Sequence, residues 1–409
     1  MPSIRSNIIY NTILTGAHYA FPLVVYPYVS RVLGVSNIGL VGFIDSLATY
    51  FILFSMMGIS IAGVREIARC GSDRTRRKQV FYSFLALHGI VTAVALAGMI
   101  AATLTVPELH KHSRLMWVGV CKLVFNLFLI EWFYRGIEDF KFITLRSLLI
   151  RGLYVVSVFV FVRNEGDTLT YYFLTMLVVV ATAAVNMLSS RRFLSAQKVS
   201  IMLKPYLRPF LILGVYELLM ATYSTLNTAF LGFVSTDTEV GYYTTAVKLI
   251  SIVSGIYISF SGVLLPRMSA LAARGDTSTF KTYLTRTFKI ILGFSIPVIV
   301  LIEIFAPQVV MLLSGPGYEG ATTPLRIMIP FIAVLGIEQL MTVQTLLPMG
   351  RERSILIIAG CGAVTAIILN ILLVPELGAI GSACAWGFSE LTILSSALFF
   401  LFSPRFKTA

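Results

Sequence analysis

Twelve long apolar stretches, joined by connections too short to bury cores of their own, constrain this 409-residue chain more than any other feature. A bilayer core about 30 Å thick is crossed by about 20 apolar residues in an α-helix. On that measure the spacing predicts helices near 8–29, 40–64, 81–105, 115–134, 147–162, 170–188, 210–234, 241–265, 287–313, 324–347, 355–375 and 379–402. Lipid offers a backbone N–H or C=O no partner, so spans of this length must be helical. The fold class expected is an all-α polytopic membrane protein with twelve transmembrane helices.

Lys and Arg alternate with the spans. On this map 23 of the 32 lie on the side of the N-terminus, 4 on the opposite side and 5 inside helices. By the positive-inside rule both termini are expected to be cytoplasmic. With 57% hydrophobic and 12% charged residues, the chain has about half the usual charged fraction. That excludes a soluble globular domain. The pI near 9.6 would suit a nucleic-acid binder, but the basic residues sit in short loops such as 65–78 and 191–208. There they set topology and meet anionic membrane lipid, and no nucleic-acid partner is expected.

The first apolar stretch has no short core followed by a small-residue cleavage site, so it is expected to persist as a span. Of four cysteines, Cys70 is expected at the cytoplasmic face, while Cys121, Cys361 and Cys384 read as small packing residues within spans. The longest external connection, 314–323, holds no acid/base constellation. Metal-ligand spacing, a phosphate-cradling loop and a nucleophile elbow are missing from the sequence as well. No cofactor or metal is expected, and transport rather than catalysis is the default function.

The chain carries traces of duplication. Leu33-Gly34 and Gly39 flank the first connection, and Leu231-Gly232 and Gly241 flank the seventh; Gly39 to Arg65 and Gly241 to Arg267 are both 26 residues. Six helices per half makes the repeat parallel, with its axis along the membrane normal. The expected division is an N-terminal six-helix lobe at 1–188, a basic cytoplasmic linker at 189–209 and a C-terminal six-helix lobe at 210–409. The linker reads either as an interfacial amphipathic segment or as a flexible tether.

Five segments point to a family: YPYVSRVLG (26–34), GVREIA (63–68), EWFYRGIEDFKFIT (131–144), FAPQVVMLLSGPGYEGA (305–321) and NILLVPELGAIGSACAW (370–386). The chain resembles the Wzx-type O-antigen flippases, in the polysaccharide transport branch of the MOP exporter superfamily, with MATE multidrug transporters as distant relatives. The resemblance implies a V of two six-helix lobes whose first, second, seventh and eighth helices line a central cavity. It implies a bacterial inner-membrane protein carrying oligosaccharide on an undecaprenyl-pyrophosphate-type lipid to the periplasmic leaflet by alternating access. Polysaccharide polymerase and assembly proteins would be further partners. Arg135 departs from the family pattern, which more often has Gln there. The rivals are a multidrug efflux antiporter and a membrane glycosyltransferase or polymerase; the latter lacks its expected long external loop.

Ionisable groups inside a span are costly and therefore functional candidates. Glu131, Arg151, Lys289 and Arg326 lie near helix ends, where long side chains reach the interface. Turning the helices by 100° per residue groups Asn7, Asn11, Thr15, His18, Pro22 and Tyr26 on the first, and Asp45, Thr49, Ser60 and Gly63 on the second. Glu217, Ser224 and Thr228 share a face of the seventh; Thr244, Lys248, Ser251, Gly255, Ser259 and Gly262 share one on the eighth. The Gly and Ser members read as packing seams. Because the family places these four helices at the cavity, Lys248, Glu217, Asp45, His18 and Asn11 are the substrate-path candidates. Lys248 is the candidate cation for the pyrophosphate. Arg31 serves as a headgroup contact or an interfacial anchor, and Lys122 as a second cation or the partner of a carboxylate. Asp45, Glu217 and His18 are the candidate proton or sodium sites, with Glu338 and Glu390 expected as buried links in the C-terminal lobe.

Overall fold

The computed structural model describes residues 4–402, apart from the side chains of some positions in 4–8, at 19, in 209–224 and in 258–266. All regular structure among the described residues is helical. Seven helical rods are long and apolar enough to cross a bilayer, or eight if Glu319–Met328 and Phe331–Leu346, bent by 42°, count as one. Two rods exceed a single crossing. Ile9–Ala68 has 60 residues and Glu352–Phe402 has 51, lengths of about 90 and 77 Å at 1.5 Å per residue. Each breaks at a glycine held at positive φ, Gly34 (φ 76°, ψ 168°) and Gly378 (φ 54°, ψ −127°). An L side chain is strained in both conformations, so the turn between successive helices is fixed by residue type. The protein is an all-α, multi-pass membrane protein. Its lipid-facing surface is visible on helix Phe140–Phe161, where Leu145, Leu149, Leu153, Val156 and Val160 form one exposed stripe.

The chain divides into two compact units, residues 1–33 with 44–221, and residues 34–43 with 222–409. In the first, two of the segments singled out above are the two sides of one contact. Helix Ile59–Ala68, from GVREIA, packs on helix Glu131–Gly136, from EWFYRG. A Cβ on Gly63 would come within 2.6 Å of the Trp132 ring, and one on Gly136 within 2.7 Å of Ile67. Trp132 stacks in turn on Phe81, with ring centroids 5.8 Å apart and planes at 29°, and Phe84, Phe133 and Tyr134 complete a buried aromatic core. Cys70, beside this core, is buried and donates its thiol to the Glu66 carbonyl, and burial pushes the thiol pKa up. The reading of Cys121 as a packing residue is corrected, because it is exposed.

The basic linker is neither free nor featureless. Lys78 Nζ donates to the Gln197 carbonyl at 2.7 Å, Gln79 Nε2 to Ser200 Oγ at 3.3 Å, and the Met202 N–H to the buried Ser83 Oγ at 3.0 Å. The segment is thereby pinned along the start of helix Arg74–Thr105. Two backbone groups of the segment, the Gln197 carbonyl and the Met202 N–H, are thus met by side chains of that helix.

In the second unit, Gly39 and Gly241, which the sequence spacing pairs, meet each other. A Cβ on Gly39 would lie 1.7 Å from the Asp237 carbonyl oxygen and 2.6 Å from the Gly241 nitrogen. A Cβ on Gly241 would lie 2.3 Å from the Val35 carbonyl oxygen. Backbone runs directly on backbone there, as small residues permit in membranes. Gly232 likewise accommodates the Phe43 ring, which packs edge-on against Phe233 at 5.0 Å. At the other end, Glu239 Oε2 accepts from the Ala379 N–H at 2.8 Å and closes the break at Gly378. The carboxylate caps the last helix where its first N–H groups have no helical partner.

Gly39→Ala is expected to lower thermal stability in detergent by at least about 2 kcal/mol, the cost of overpacking against a backbone that cannot yield. Gly293→Ala, in a helix interior with nothing within 4 Å of its Cβ, is expected to raise it by about 0.5–1 kcal/mol. Thermal unfolding of the two purified variants checks both.

Candidate functional site

Two of the predicted residues belong together. Lys122, on helix Ser113–Asn126, is 9% exposed and donates to Asp45 Oδ1. Tyr172 also donates to that oxygen at 3.2 Å, Lys122 lies 4.6 Å from the centre of the Tyr172 ring, and Thr175 Oγ1 is 3.4 Å from the ammonium. Asp45 keeps 45% of its side chain accessible while its partner keeps 11%. The ammonium is therefore the desolvated partner, held by a carboxylate, a hydroxyl and an aromatic face. The pair carries no net charge, so Asp45 and Lys122 form one unit rather than two independent sites.

A second network fastens the break that follows the same helix. Helix Ser113–Asn126 ends four residues before Glu131–Gly136 begins, and Ile130 between them has φ 39°. For a β-branched residue that conformation is strained. It is held from the outside: Asn186 donates to the Leu129 carbonyl, and Tyr134 donates to the Asn186 carbonyl at 2.6 Å. Arg146 donates to Asn186 Oδ1, to Ser147 Oγ at 2.9 Å and to Glu131 Oε1 at 2.8 Å. Arg135 lies 3.8 Å from the other Glu131 oxygen. Glu131 is thus a structural anion for a buried cation, which corrects its reading as a side chain reaching for the interface. Arg146 was expected in the cytoplasmic loop. Helix Phe140–Phe161 starts seven residues earlier than predicted and carries it into the interior, where it is 5% exposed.

The remaining candidates are scattered. His18 and Asn11 are exposed on the first helix. Arg151 Nη2 donates to His18 Nδ1 at 3.0 Å, which leaves the ring proton on Nε2; Arg151 was expected to reach only the interface. The Asn11 carbonyl accepts from Thr15 at 2.9 Å, and Arg31 is exposed with Nη1 2.5 Å from the Pro27 carbonyl. Lys248 is exposed on helix Asp237–Ala273, in the second unit. The side chain of Glu217 lies outside the described residues. Glu390 is buried and Glu338 accepts from Thr342 at 3.0 Å, both in the second unit. No group of three metal-ligating side chains occurs among the described residues.

Four polar residues outside the sequence candidates are buried in the first unit: Arg146, Asn186, His88 and Asn126. A histidine or asparagine in the middle of an apolar stretch meets the same insertion penalty as a charge. That signal is present in the sequence at His88, Asn126 and Asn186.

Asp45→Asn is expected to lower stability by about 3 kcal/mol, because it strands a buried ammonium. Lys122→Met should cost less, since the carboxylate left behind is partly accessible, and the double variant less than the sum of the two. Thermal melts of the three purified proteins test this non-additivity.

With the geometry in place, the relatives of the chain can be compared. A family model described as polysaccharide biosynthesis protein matches residues 4–272, and a MatE model matches 213–372. A protein of Escherichia coli K12 named "Putative O-antigen transporter" is 26% identical over 388 residues, 92% of each chain. One of Shigella dysenteriae with the same name is 22% identical, over 96% of this chain and 98% of its own. Among solved structures, the lipid II flippase MurJ in an inward closed conformation superposes with a TM-score of 0.77 at 16% identity, covering 96% of this chain and 87% of its own. An inward-facing multidrug MATE transporter of the MOP superfamily gives 0.72 at 17% identity, over 95% and 96%. The helical architecture is therefore the MOP fold. Since the polysaccharide model spans the first unit, including the packed GVREIA and EWFYRG helices, and continues into the second, the chain belongs to the polysaccharide biosynthesis protein family.

Proposed function

We propose that the protein is a flippase for lipid-linked oligosaccharide. It would move a sugar repeat unit on polyprenyl pyrophosphate from the cytoplasmic to the periplasmic leaflet of the bacterial inner membrane. The observation that carries this reading is the polysaccharide family match over residues 4–272. The names of the two O-antigen relatives and the fold shared with a lipid II flippase support it. In this reading the protein is a carrier rather than an enzyme, with twelve crossings, both termini cytoplasmic and two six-helix lobes that rock to expose the cavity alternately. Membrane lipid and the undecaprenyl-type glycolipid are its partners, with a polysaccharide polymerase downstream.

The pyrophosphate requires a cation. Lys122 is held by Asp45, and the candidates for the role are Lys248, exposed on helix Asp237–Ala273, and Arg31, exposed just beyond the predicted first span. The candidates for ion coupling are Asp45, paired with Lys122, His18, which accepts from Arg151, and Glu217. The MatE match at 213–372 favours multidrug efflux as the second reading.

Deletion of the gene is expected to remove surface polysaccharide and accumulate glycolipid in the cytoplasmic leaflet. Drug sensitivity without a glycan defect would favour efflux instead. Lys248→Ala is expected to abolish complementation while the protein remains in the membrane; normal polysaccharide in that strain would remove Lys248 from the path. Glycolipid translocation in proteoliposomes, with and without an imposed proton or sodium gradient, measures coupling directly.

A further inference from the structure

Helix Thr277–Ser314 of the second unit opens with a cluster of cations and continues as a bare apolar face. Lys281, Thr282, Thr285, Arg286 and Lys289 line an open cavity of about 430 Å³, within the size of ordinary ligand sites, about 300–1,000 Å³. All five residues are exposed. They share the cavity because residues three and four apart are neighbours on a helix surface.

A basic residue at the end of a span needs no ligand, since it serves topology and anchors the helix. This cluster differs in being uncompensated. No Asp or Glu occurs between Asp276 and Glu303, and among the described residues none of the Lys281, Arg286 and Lys289 side chains takes part in an ion pair or hydrogen bond. Elsewhere acids do meet such groups, as Glu66 meets Arg65 and Arg69 at 3.2 and 3.0 Å, and Glu303 meets Arg326 at 3.9 Å. Asp276, the nearest acid in sequence, accepts from the Thr279 N–H at 3.0 Å as the helix cap. Like charges three residues apart on a helix repel, so an anion held between Arg286 and Lys289 relieves them. The hydroxyls of the cavity are already spent: Thr282 and Thr285 donate to the Ser278 and Lys281 carbonyls, each at 3.0 Å. Its remaining donors are the three charged groups, which select an anion.

The rest of the face indicates what carries that anion. At 100° per residue, Arg286, Lys289, Ile296, Val300 and Ile304 fall within about 80° of one another. Ile296, Val300 and Ile304 are 54, 52 and 60% exposed, and no charged residue occurs from Ile290 to Ile302. Arg286 to Ile304 spans about 27 Å at 1.5 Å per residue, close to a bilayer core of about 30 Å. Cations at one end of an exposed apolar stripe match an amphiphile with an anionic headgroup. A zwitterionic headgroup would bring its own ammonium against three other cations.

We propose that this face of helix Thr277–Ser314 binds an anionic phospholipid, its phosphate held by Lys281, Arg286 and Lys289 and its chains lying along Ile296, Val300 and Ile304. Lys289, expected from the sequence to reach the interface alone, becomes one of three contacts to a phosphate. The site is independent of what the protein carries.

The test uses the full-length protein, delipidated in detergent, with bound lipid counted by native mass spectrometry. The probes are phosphatidylglycerol, phosphatidylcholine, glycerol phosphate and undecaprenyl phosphate. Saturable binding of phosphatidylglycerol is expected, with phosphatidylcholine and glycerol phosphate at least about tenfold weaker, since neither combines net charge with acyl chains. Arg286→Gln should weaken it about fivefold, and the triple change Lys281→Gln, Arg286→Gln and Lys289→Gln about a hundredfold, at roughly a factor of five per charge near a lipid surface. Arg286→Gln, which alters one exposed side chain, serves if the triple variant fails to accumulate. Arg191→Gln, Arg192→Gln and Lys198→Gln together remove the same charge from the linker and should leave binding unchanged. The proposal is overturned if phosphatidylglycerol does not bind saturably, or if the linker variant loses as much as the helix variants. It is equally overturned if glycerol phosphate or phosphatidylcholine binds as tightly as phosphatidylglycerol. Displacement of phosphatidylglycerol by undecaprenyl phosphate at equal concentration would also overturn it, since the face would then belong to the polyprenyl carrier.

Discussion

A break in a membrane helix frees backbone groups that lipid cannot satisfy, and the architecture of this protein is organised around where its breaks fall and what closes them. At Gly378 the closure is a carboxylate, with Glu239 accepting from the Ala379 N–H. At Ile130 it is an amide on another helix, Asn186, itself gripped by Arg146 and Tyr134. Each closure draws a polar side chain into the interior, and each of those side chains then requires partners of its own. The chain Glu131–Arg146–Asn186–Leu129 is the longest consequence of this requirement in the first unit. It explains why a glutamate and an arginine are stable where lipid-facing neighbours such as Leu149 and Leu153 are exposed.

The same logic gives a physical meaning to the motifs. EWFYRGIEDF supplies Glu131 for Arg146, Trp132 for the aromatic core, Gly136 for close approach to Ile67, and Asp139, which accepts from the Phe142 N–H at 3.2 Å to begin the next helix. GVREIA supplies Gly63, on which Trp132 lies. These residues build one corner, with a cavity beside it. The charge pair of Asp45 and Lys122 follows a different rule. There a buried ammonium would be prohibitive alone, and the pair removes two charges from any list of groups free to act on a substrate.

Much of this was legible in the sequence. Apolar length and the alternation of Lys and Arg gave the fold class, because the bilayer imposes both on any chain that crosses it. The glycines at 39 and 241 were legible as a repeat but not as a contact. Spacing pairs the two positions, and only coordinates show that they lie on each other. The site was less legible. Helical periodicity put Asp45, Lys122 and His18 on faces, yet the partner of each came from a helix distant in sequence: Asp45 for Lys122, and Arg151 for His18. Arg146 was misplaced because charge counting cannot distinguish an arginine at the membrane surface from one drawn inside by a carboxylate fifteen residues earlier.

The sequence alone determined that this chain crosses a membrane many times as helices and which family it resembles. Those properties depend on length, local composition and short motifs, which a one-dimensional reading contains. Tertiary structure decided which intramembrane charges neutralise each other, how the helix breaks are closed and where polar groups remain unspent. Such pairings depend on distances between segments separated by tens to hundreds of residues. Coulomb and hydrogen-bond energies act over a few ångströms, so only the folded arrangement assigns them.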